Sequence, residues 1–470
     1  MEQSINPQTL RTMMIAVAFI DGALRITNIP TFYLWKDYLG VSPGVNCLLR
    51  YITKLPWCVK PFFAYFSDRY YIWGYRTKIY FILMGIIQIV TFMFLAVPNK
   101  NVIWTTFLIL VGEATVAFRD SLAEGLMVVI SREEDAKNAM INGKNSQESS
   151  SQRYVSVIFV LRFFGTLASS FVAGILLERF TPQQILGMCS IFPLVNLLHA
   201  LFFFGEKRVL DTTEIVSKFE SFRPGEIFTF IEKNDLTSFL LYVVVMLVWP
   251  NTISGVRYYL IDTLGFSTYD IGTIFTLSSL FYLIYMFFLN TFFPNYKYRN
   301  FFVAICIMMA INIVARSLQI VPSLKSLAYL FAVIDQTINN LFYDLPMIPL
   351  LAIVCRICPR LQEATYYAFF VSVSNFFCSL ANFTGFLYLD LMDVTTTNFS
   401  NIQVVNMLGL LWAAMMWHMS LYIKFPDADQ FIISHQRKRQ KEETIKEQKK
   451  IKEMQKEEKL YSTPGSQEID

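Results

Sequence analysis

Residues 77–97 read TKIYFILMGIIQIVTFMFLAV, and Lys78 is the sole charge among them. Wound as an α-helix, a run of this length spans about 30 Å, the thickness of the hydrocarbon core of a bilayer. It predicts a membrane-spanning helix. The signature recurs in both directions along the chain, most densely at residues 185–204, 240–249 and 271–293. Counting weaker stretches that carry a few charges, spans are predicted at 12–36, 43–66, 78–98, 102–130, 154–177, 183–204, 236–259, 269–293, 300–320, 326–355, 364–389 and 402–424. Composition agrees: 54% of the 470 residues are hydrophobic, 16% are charged and the mean hydropathy is +0.42, more apolar than an ordinary soluble domain. The 44 phenylalanines suit lipid-facing helix surfaces. The expected fold is an all-α polytopic membrane protein of about twelve helices.

The connections group the spans as six plus six. Residues 205–235 form the longest interior polar stretch and read as a linker between halves 1–204 and 236–424, with a short interfacial helix at 214–222. Residues 131–152 are rich in Ser, Asn and Glu and read as a flexible loop. Lys and Arg cluster in the loops after even-numbered spans (Arg69, Arg76 and Lys78 in the first of them), whereas opposite loops hold isolated cations such as Lys36 and Arg257. Both termini are therefore expected on the cytoplasmic side. None of the opening residues reads as a cleavable leader. Asn398-Phe-Ser400 is a glycosylation sequon in an outward loop, and Asn382-Phe-Thr384 is one inside a span, where it is expected to stay unmodified. The tail, 425–470, is dominated by Lys, Glu and Gln and reads as solvated. Its juxtamembrane cluster Arg437, Lys438, Arg439 and Lys441 is suited to anionic lipid.

A net charge of +4 is too mild to imply nucleic-acid binding. Most of the seven cysteines fall in apolar runs and read as reduced core residues, and Cys355-x-x-Cys358 has no nearby partner pair for a metal. Three histidines, no nucleophile–base set and no phosphate loop leave enzyme chemistry, metals and cofactors without support.

Charges inside spans carry the function. An ionisable group in hydrocarbon is costly, so it faces the bundle interior and marks a pathway or a partner. Glu113, Asp120 and Glu124 fall within about 40° of one another on the fourth span. Burial disfavours several charges on one stripe, which is what a proton-coupling site requires; pairing with arginines to hold the bundle together is the equal alternative. Asp21 and Arg25 are spaced to pair along the first span. Arg162 sits mid-span and needs a carboxylate, from Asp120, Glu124 or an anionic substrate. Arg316 is expected to snorkel from the end of its span. Asp335, Asn339, Asn340 and Asp344 make the tenth span polar, and Pro346 and Pro349 permit a break beside a cavity. Ser372, Ser374, Asn375, Ser379 and Asn382 add polar positions in the eleventh, for substrate or for helix–helix contact.

Leu55-Pro-Trp-Cys-Val-Lys-Pro61, followed by Ser67-Asp68 and Gly74-Tyr-Arg76, resembles the folate–biopterin transporter family of the major facilitator superfamily. Asp120 with Glu124, Arg162-Phe-Phe-Gly165, Pro349-Leu-Leu, Cys358-Pro359, Glu363-Ala-Thr365 and Ser372-Val-Ser-Asn375 are similar to further stretches of that family. The chain departs from its pattern at Glu124, where Asp is usual, and at Gln362, where Gly is common.

The resemblance implies a carrier with a central cavity between two six-helix bundles and a folate- or pterin-like cargo. On that reading Arg25, Arg162, Asp335, Asn339, Ser372 and Asn375 bind the solute. Asp120, Glu124 and Glu113 couple its movement to protons, and Lys60, Asp68 and Arg76 serve gating, the short turn between two helices placing Asp68 against Arg76 and Lys78. The alternatives are another organic anion, an amino acid or a sugar on the same fold, and a non-transporting scaffold or sensor acting through the tail.

Overall fold

The computed structural model describes residues 7–142, 150–206, 208, 224–233, 236–292, 298–345, 347, 350, 351, 354 and 363–422. The interfacial helix expected at 214–222, the Cys355–Cys358 pair, Pro346, Pro349 and the tail lie outside them. Helices dominate throughout: α1 (Pro7–Ala23), α2 (Asn28–Tyr33), α3 (Pro43–Cys58), α4 (Lys60–Arg69), α5 (Lys78–Ala96), α6 (Val102–Asn142), α7 (Ser150–Leu177), α8 (Pro182–Met188), α9 (Ile191–Phe202), α10 (Pro224–Lys233), α11 (Thr237–Leu247), α12 (Ile253–Asp262), α13 (Thr268–Phe292), α14 (Tyr298–Leu318), α15 (Ala328–Asp344), α16 (Glu363–Leu391) and α17 (Ile402–Tyr422).

Among the described residues each of the twelve predicted stretches contains helix, but they are not equally plain spans. Among the described residues, eight helical segments are long and apolar enough to cross a bilayer by themselves. A ninth is reached if α14 and α15, bent by 115° at their junction, are counted as one. The two remaining stretches are broken. Pro56 lies within α3 and Pro61 opens α4, so the helix stops and restarts at Val59. Between α11 and α12 the chain unwinds through Trp249-Pro250-Asn251, and the freed Asn251 N–H donates to the Ala381 carbonyl of α16 at 2.8 Å. The first span is also irregular: a 3-10 turn at Leu24–Thr27 joins α1 to α2, and a wider turn follows at Leu34–Tyr38.

The loop expected at 131–152 is corrected at both ends, while residues 143–149 lie outside those described. α6 continues through Asn142 and α7 begins at Ser150. The run Glu133-Glu-Asp-Ala-Lys137 has good helix propensity, and Arg11 of α1 pairs with Glu134. At 41 residues, α6 is about 60 Å long, twice the hydrocarbon core.

The two halves meet along two broad seams, α7 on α13 and α3 on α16. In the first, a Cβ built at Gly174 would stand 3.0 Å from the Gly272 Cα, so only small residues let these backbones approach. Within the first half α1 packs on α7 equally closely. A Cβ at Gly165 would overlap the Phe19 carbonyl oxygen, and one at Gly22 would overlap the Arg162 carbonyl.

Glu206 closes the first half. Its carboxylate accepts the backbone N–H groups of Arg76 (2.7 Å), Thr77 (3.1 Å) and Lys78 (2.7 Å) and the Thr77 hydroxyl (2.8 Å). It thereby satisfies the free donors at the start of α5 and opposes the positive end of that helix. Glu206→Gln is expected to cost about 1–2 kcal/mol, read as a lower thermal midpoint of the purified protein. An unchanged midpoint would remove this capping role.

Candidate functional site

The seams leave a central cavity of about 480 Å³ between α1, α3, α6 and α7 on one side and α12, α15 and α16 on the other. That is a usual size for a small-molecule site.

The stripe on α6 opens into it. Asp120, Glu124 and Glu113 all line the cavity. They are not equivalent. The fully buried Lys60 of α4 donates to Asp120 Oδ2 at 2.8 Å and to Glu124 Oε2 at 2.5 Å. Arg162 of α7 pairs with Asp120 Oδ1. The four groups form a buried quartet drawn from three helices. Glu113 stands apart and accepts from Lys54 Nζ and Trp57 Nε1, each at 2.6 Å.

Two readings of buried charges are corrected here. Asp21 does not pair with Arg25: it accepts from Arg119 at 3.1 Å, and Arg25 lies over the Phe163 ring at 5.0 Å, on the cavity wall. Helical spacing permits an Asp21–Arg25 contact, but the 3-10 turn at Leu24–Thr27 alters the register between them. Arg316 does not snorkel. It is enclosed, donating to Asp335 Oδ1 at 2.9 and 3.0 Å. Lys60, grouped with Asp68 and Arg76 for gating, stands at the start of α4, about 13 Å along the helix from Arg69. The backbone N–H of Arg76 donates to Glu206. The Asp68 side chain is outside the described residues.

The expected solute-binding residues divide. Arg25, Arg162, Asn339 and Asn375 line the cavity. Asp335 is not on its wall; Arg316, Asn312 and Gln319 occupy both its carboxylate oxygens. Ser372 is also off the wall and donates to the Trp57 carbonyl at 3.2 Å, which Asn375 reaches as well at 3.4 Å. These bonds tie α16 to α3 across the halves. Asn382, the sequon within a span, lines the cavity and accepts from Asn251 at 3.2 Å. Asn398 sits half-buried between α16 and α17, its amide donating to the Asp393 carbonyl at 3.1 Å.

Sequence reasoning missed Arg50, Lys54 and Trp57, which all line the cavity from α3. Their signal was present: positions 50, 54 and 57 follow the i, i+4, i+7 rhythm of one helix face. Arg257, read as an isolated loop cation, lies in α12 and also faces the cavity.

At one end of the cavity the halves are closed over each other. Lys36 pairs with Asp262 at 2.6 Å, and the Tyr258 hydroxyl donates to the Val41 carbonyl at 2.7 Å. Phe32 meets Tyr258 edge to face. Further along the α7–α13 seam, Phe163 stacks on Tyr282.

Known proteins agree with this architecture. The nucleoside transporter NupG superposes with a TM-score of 0.60 at 11% identity, covering 88% of this chain and 98% of that one. A D-xylose-proton symporter gives 0.58 at 13% identity, covering 90% and 98%. At such identities the likeness is one of fold alone. In sequence, Folate transporter 1 of Plasmodium falciparum is 24% identical over 395 residues, 82% of this chain and 74% of that protein. The Folate-biopterin transporter of Synechocystis sp. is 22% identical over 402 residues, 83% and 77%. The profile of the BT1 family matches residues 22–446, from the cavity-facing part of α1 past the end of α17. A match over nearly all of the membrane domain settles the kinship: the chain belongs to the BT1 family and is a multi-pass membrane transporter, not an enzyme.

Proposed function

We propose that the chain carries a pteridine- or folate-like organic solute in symport with protons. The observation that supports this most is the quartet at the cavity wall: two carboxylates, Asp120 and Glu124, share one lysine, and both border the chamber. A proton arriving at either carboxylate loosens its hold on Lys60 or Arg162, and so links protonation to the contact between α4, α6 and α7. Arg25, Arg162, Asn339 and Asn375 supply charge and hydrogen bonds to the solute. Trp57, Phe275 and Tyr367 supply aromatic faces for a flat ring system. The names of the two relatives described above support the cargo.

On this reading the halves 1–204 and 236–424 rock about the cavity, with both termini, the linker 205–235 and the tail 425–470 on the cytoplasmic side. Asn398 is then the outward acceptor for glycan, and Arg76, held at the start of α5, belongs to the inner gate.

The test is uptake of labelled folate and biopterin by a cell deficient in their transport. Uptake should exceed the vector control and rise as external pH falls. Asp120→Asn, which leaves Arg162 without its carboxylate, should reduce it by about tenfold or more and flatten the pH dependence. Uptake no greater than the vector control would remove the cargo. Normal, pH-dependent uptake by Asp120→Asn would remove the coupling role.

A further inference from the structure

Most cations of the membrane domain have a carboxylate within reach. Lys36 has Asp262, Lys54 has Glu113, Lys60 has Asp120 and Glu124, Arg119 has Asp21, Arg162 has Asp120 and Arg316 has Asp335. Arg25, Arg50 and Arg257 differ. All three line the cavity, and among the described residues none is within ion-pair reach of a carboxylate; Arg25 lies over the Phe163 ring. Arg50 donates to Asn46 Oδ1 at 3.1 Å and lies 6.0 Å from the Phe32 centroid. Arg257 donates to Gln336 Oε1 at 2.7 Å and lies 4.7 Å from the Phe275 centroid.

The two arginines come from opposite halves yet share one corner. Asn46, which accepts from Arg50, also accepts from the Ser254 hydroxyl at 3.3 Å. Ser254 stands three residues, about one turn, before Arg257 in α12. Amide oxygens satisfy single donors but cancel no charge. Each guanidinium has five N–H donors, and among the described residues each forms one hydrogen bond. Two like charges facing one chamber repel one another, and each is costly to bury without a counter-ion. A bound anion removes both costs and can take the remaining donors in the forked geometry that guanidinium offers a carboxylate.

We propose that Arg50 and Arg257 form an anion subsite that receives the carboxylates of an acidic side arm on the transported solute. Trp57 lies two turns beyond Arg50 on α3, about 10 Å along the helix, with its ring beside Lys54. One molecule with a flat aromatic body and an acidic arm reaches both. Because the arginines belong to different halves, the arm bridges α3 and α12 at the closed end of the cavity and favours that closure. This deepens the reading above and rests on it for the aromatic body alone.

The experiment is equilibrium binding to the purified full-length protein with three probes: folate, which has pteridine and two carboxylates; biopterin, which has pteridine and no carboxylate; and p-aminobenzoylglutamate, which has the carboxylates and no pteridine. Arg50→Gln and Arg257→Gln should each weaken folate and p-aminobenzoylglutamate by about tenfold or more, the loss of a charge-assisted contact. Biopterin should stay within about twofold of wild type, which also shows that the variants fold. If Arg257→Gln does not fold, Arg50→Gln and the charge-keeping Arg257→Lys put the same question. Dicarboxylates that bind equally well to the variants, or a wild type that binds no dicarboxylate, would overturn the subsite. Arginine-dependent binding of p-aminobenzoylglutamate without binding of either pteridine would uphold it while sinking the pteridine cargo.

Discussion

Lys60→Gln should abolish solute uptake and lower the thermal midpoint sharply, and adding Glu124→Gln should restore the midpoint without restoring uptake. The reason is charge balance in a closed space. Lys60 and Arg162 carry two formal positive charges, and Asp120 and Glu124 carry two negative ones, so the quartet is neutral. Removing Lys60 leaves an uncompensated carboxylate where the lysine is fully buried. Breaking a buried pair by deleting one partner costs about 3–5 kcal/mol. Deleting Glu124 as well returns the formal sum to zero, and Asp120 keeps Arg162. The double variant should therefore regain most of the lost midpoint, a non-additive result that a double-mutant cycle resolves. It should still not transport, because the shared lysine is gone. Additive losses in the cycle would show that Lys60 and Glu124 do not act through each other.

Gly165→Val should fail to give a folded protein, or give one with a strongly depressed midpoint and no uptake. A Cβ at this position overlaps the Phe19 carbonyl oxygen and stands 2.7 Å from the Ala23 backbone nitrogen. Both are backbone atoms, so no side chain can turn aside. Overpacking of a core typically costs about 1–3 kcal/mol, and a clash with fixed backbone exceeds that. The separation of α1 and α7 has a direct consequence for the site. Arg162 lies one turn before Gly165, and the Gly22 backbone passes against its carbonyl. Pushing the helices apart withdraws Arg162 from Asp120. Gly205→Val is the matched control, since a Cβ there meets nothing within 4 Å. Equal midpoints for the two variants would remove the argument from close approach.

Much of the site was legible in one dimension. The stripe of Glu113, Asp120 and Glu124 needed the helical period and nothing else. The demand of Arg162 for a carboxylate followed from its depth. Arg-x-x-Gly at 162–165 was visible as a motif, and the structure supplies its physics: the glycine admits α1, and the arginine one turn away reaches α6. The misreadings share a cause. Asp21 with Arg25, and Arg316 alone at a span end, were each inferred from one helix taken by itself. Their partners lie on other helices: Arg119 for Asp21 and Asp335 for Arg316.

The sequence by itself determined that the protein lives in a bilayer, that its elements are helices, and roughly where most of the spans lie. Those properties depend on apolar length and on the need to satisfy backbone groups within one segment, which are local. Only the tertiary structure decided which carboxylate each buried cation meets, and which cations meet none. That choice is made where helices from distant parts of the chain cross. In hydrocarbon a charge must find its counterpart wherever the fold brings one, so spacing along a single helix cannot say whether Arg50 and Arg257 are neutralised or left facing the cavity.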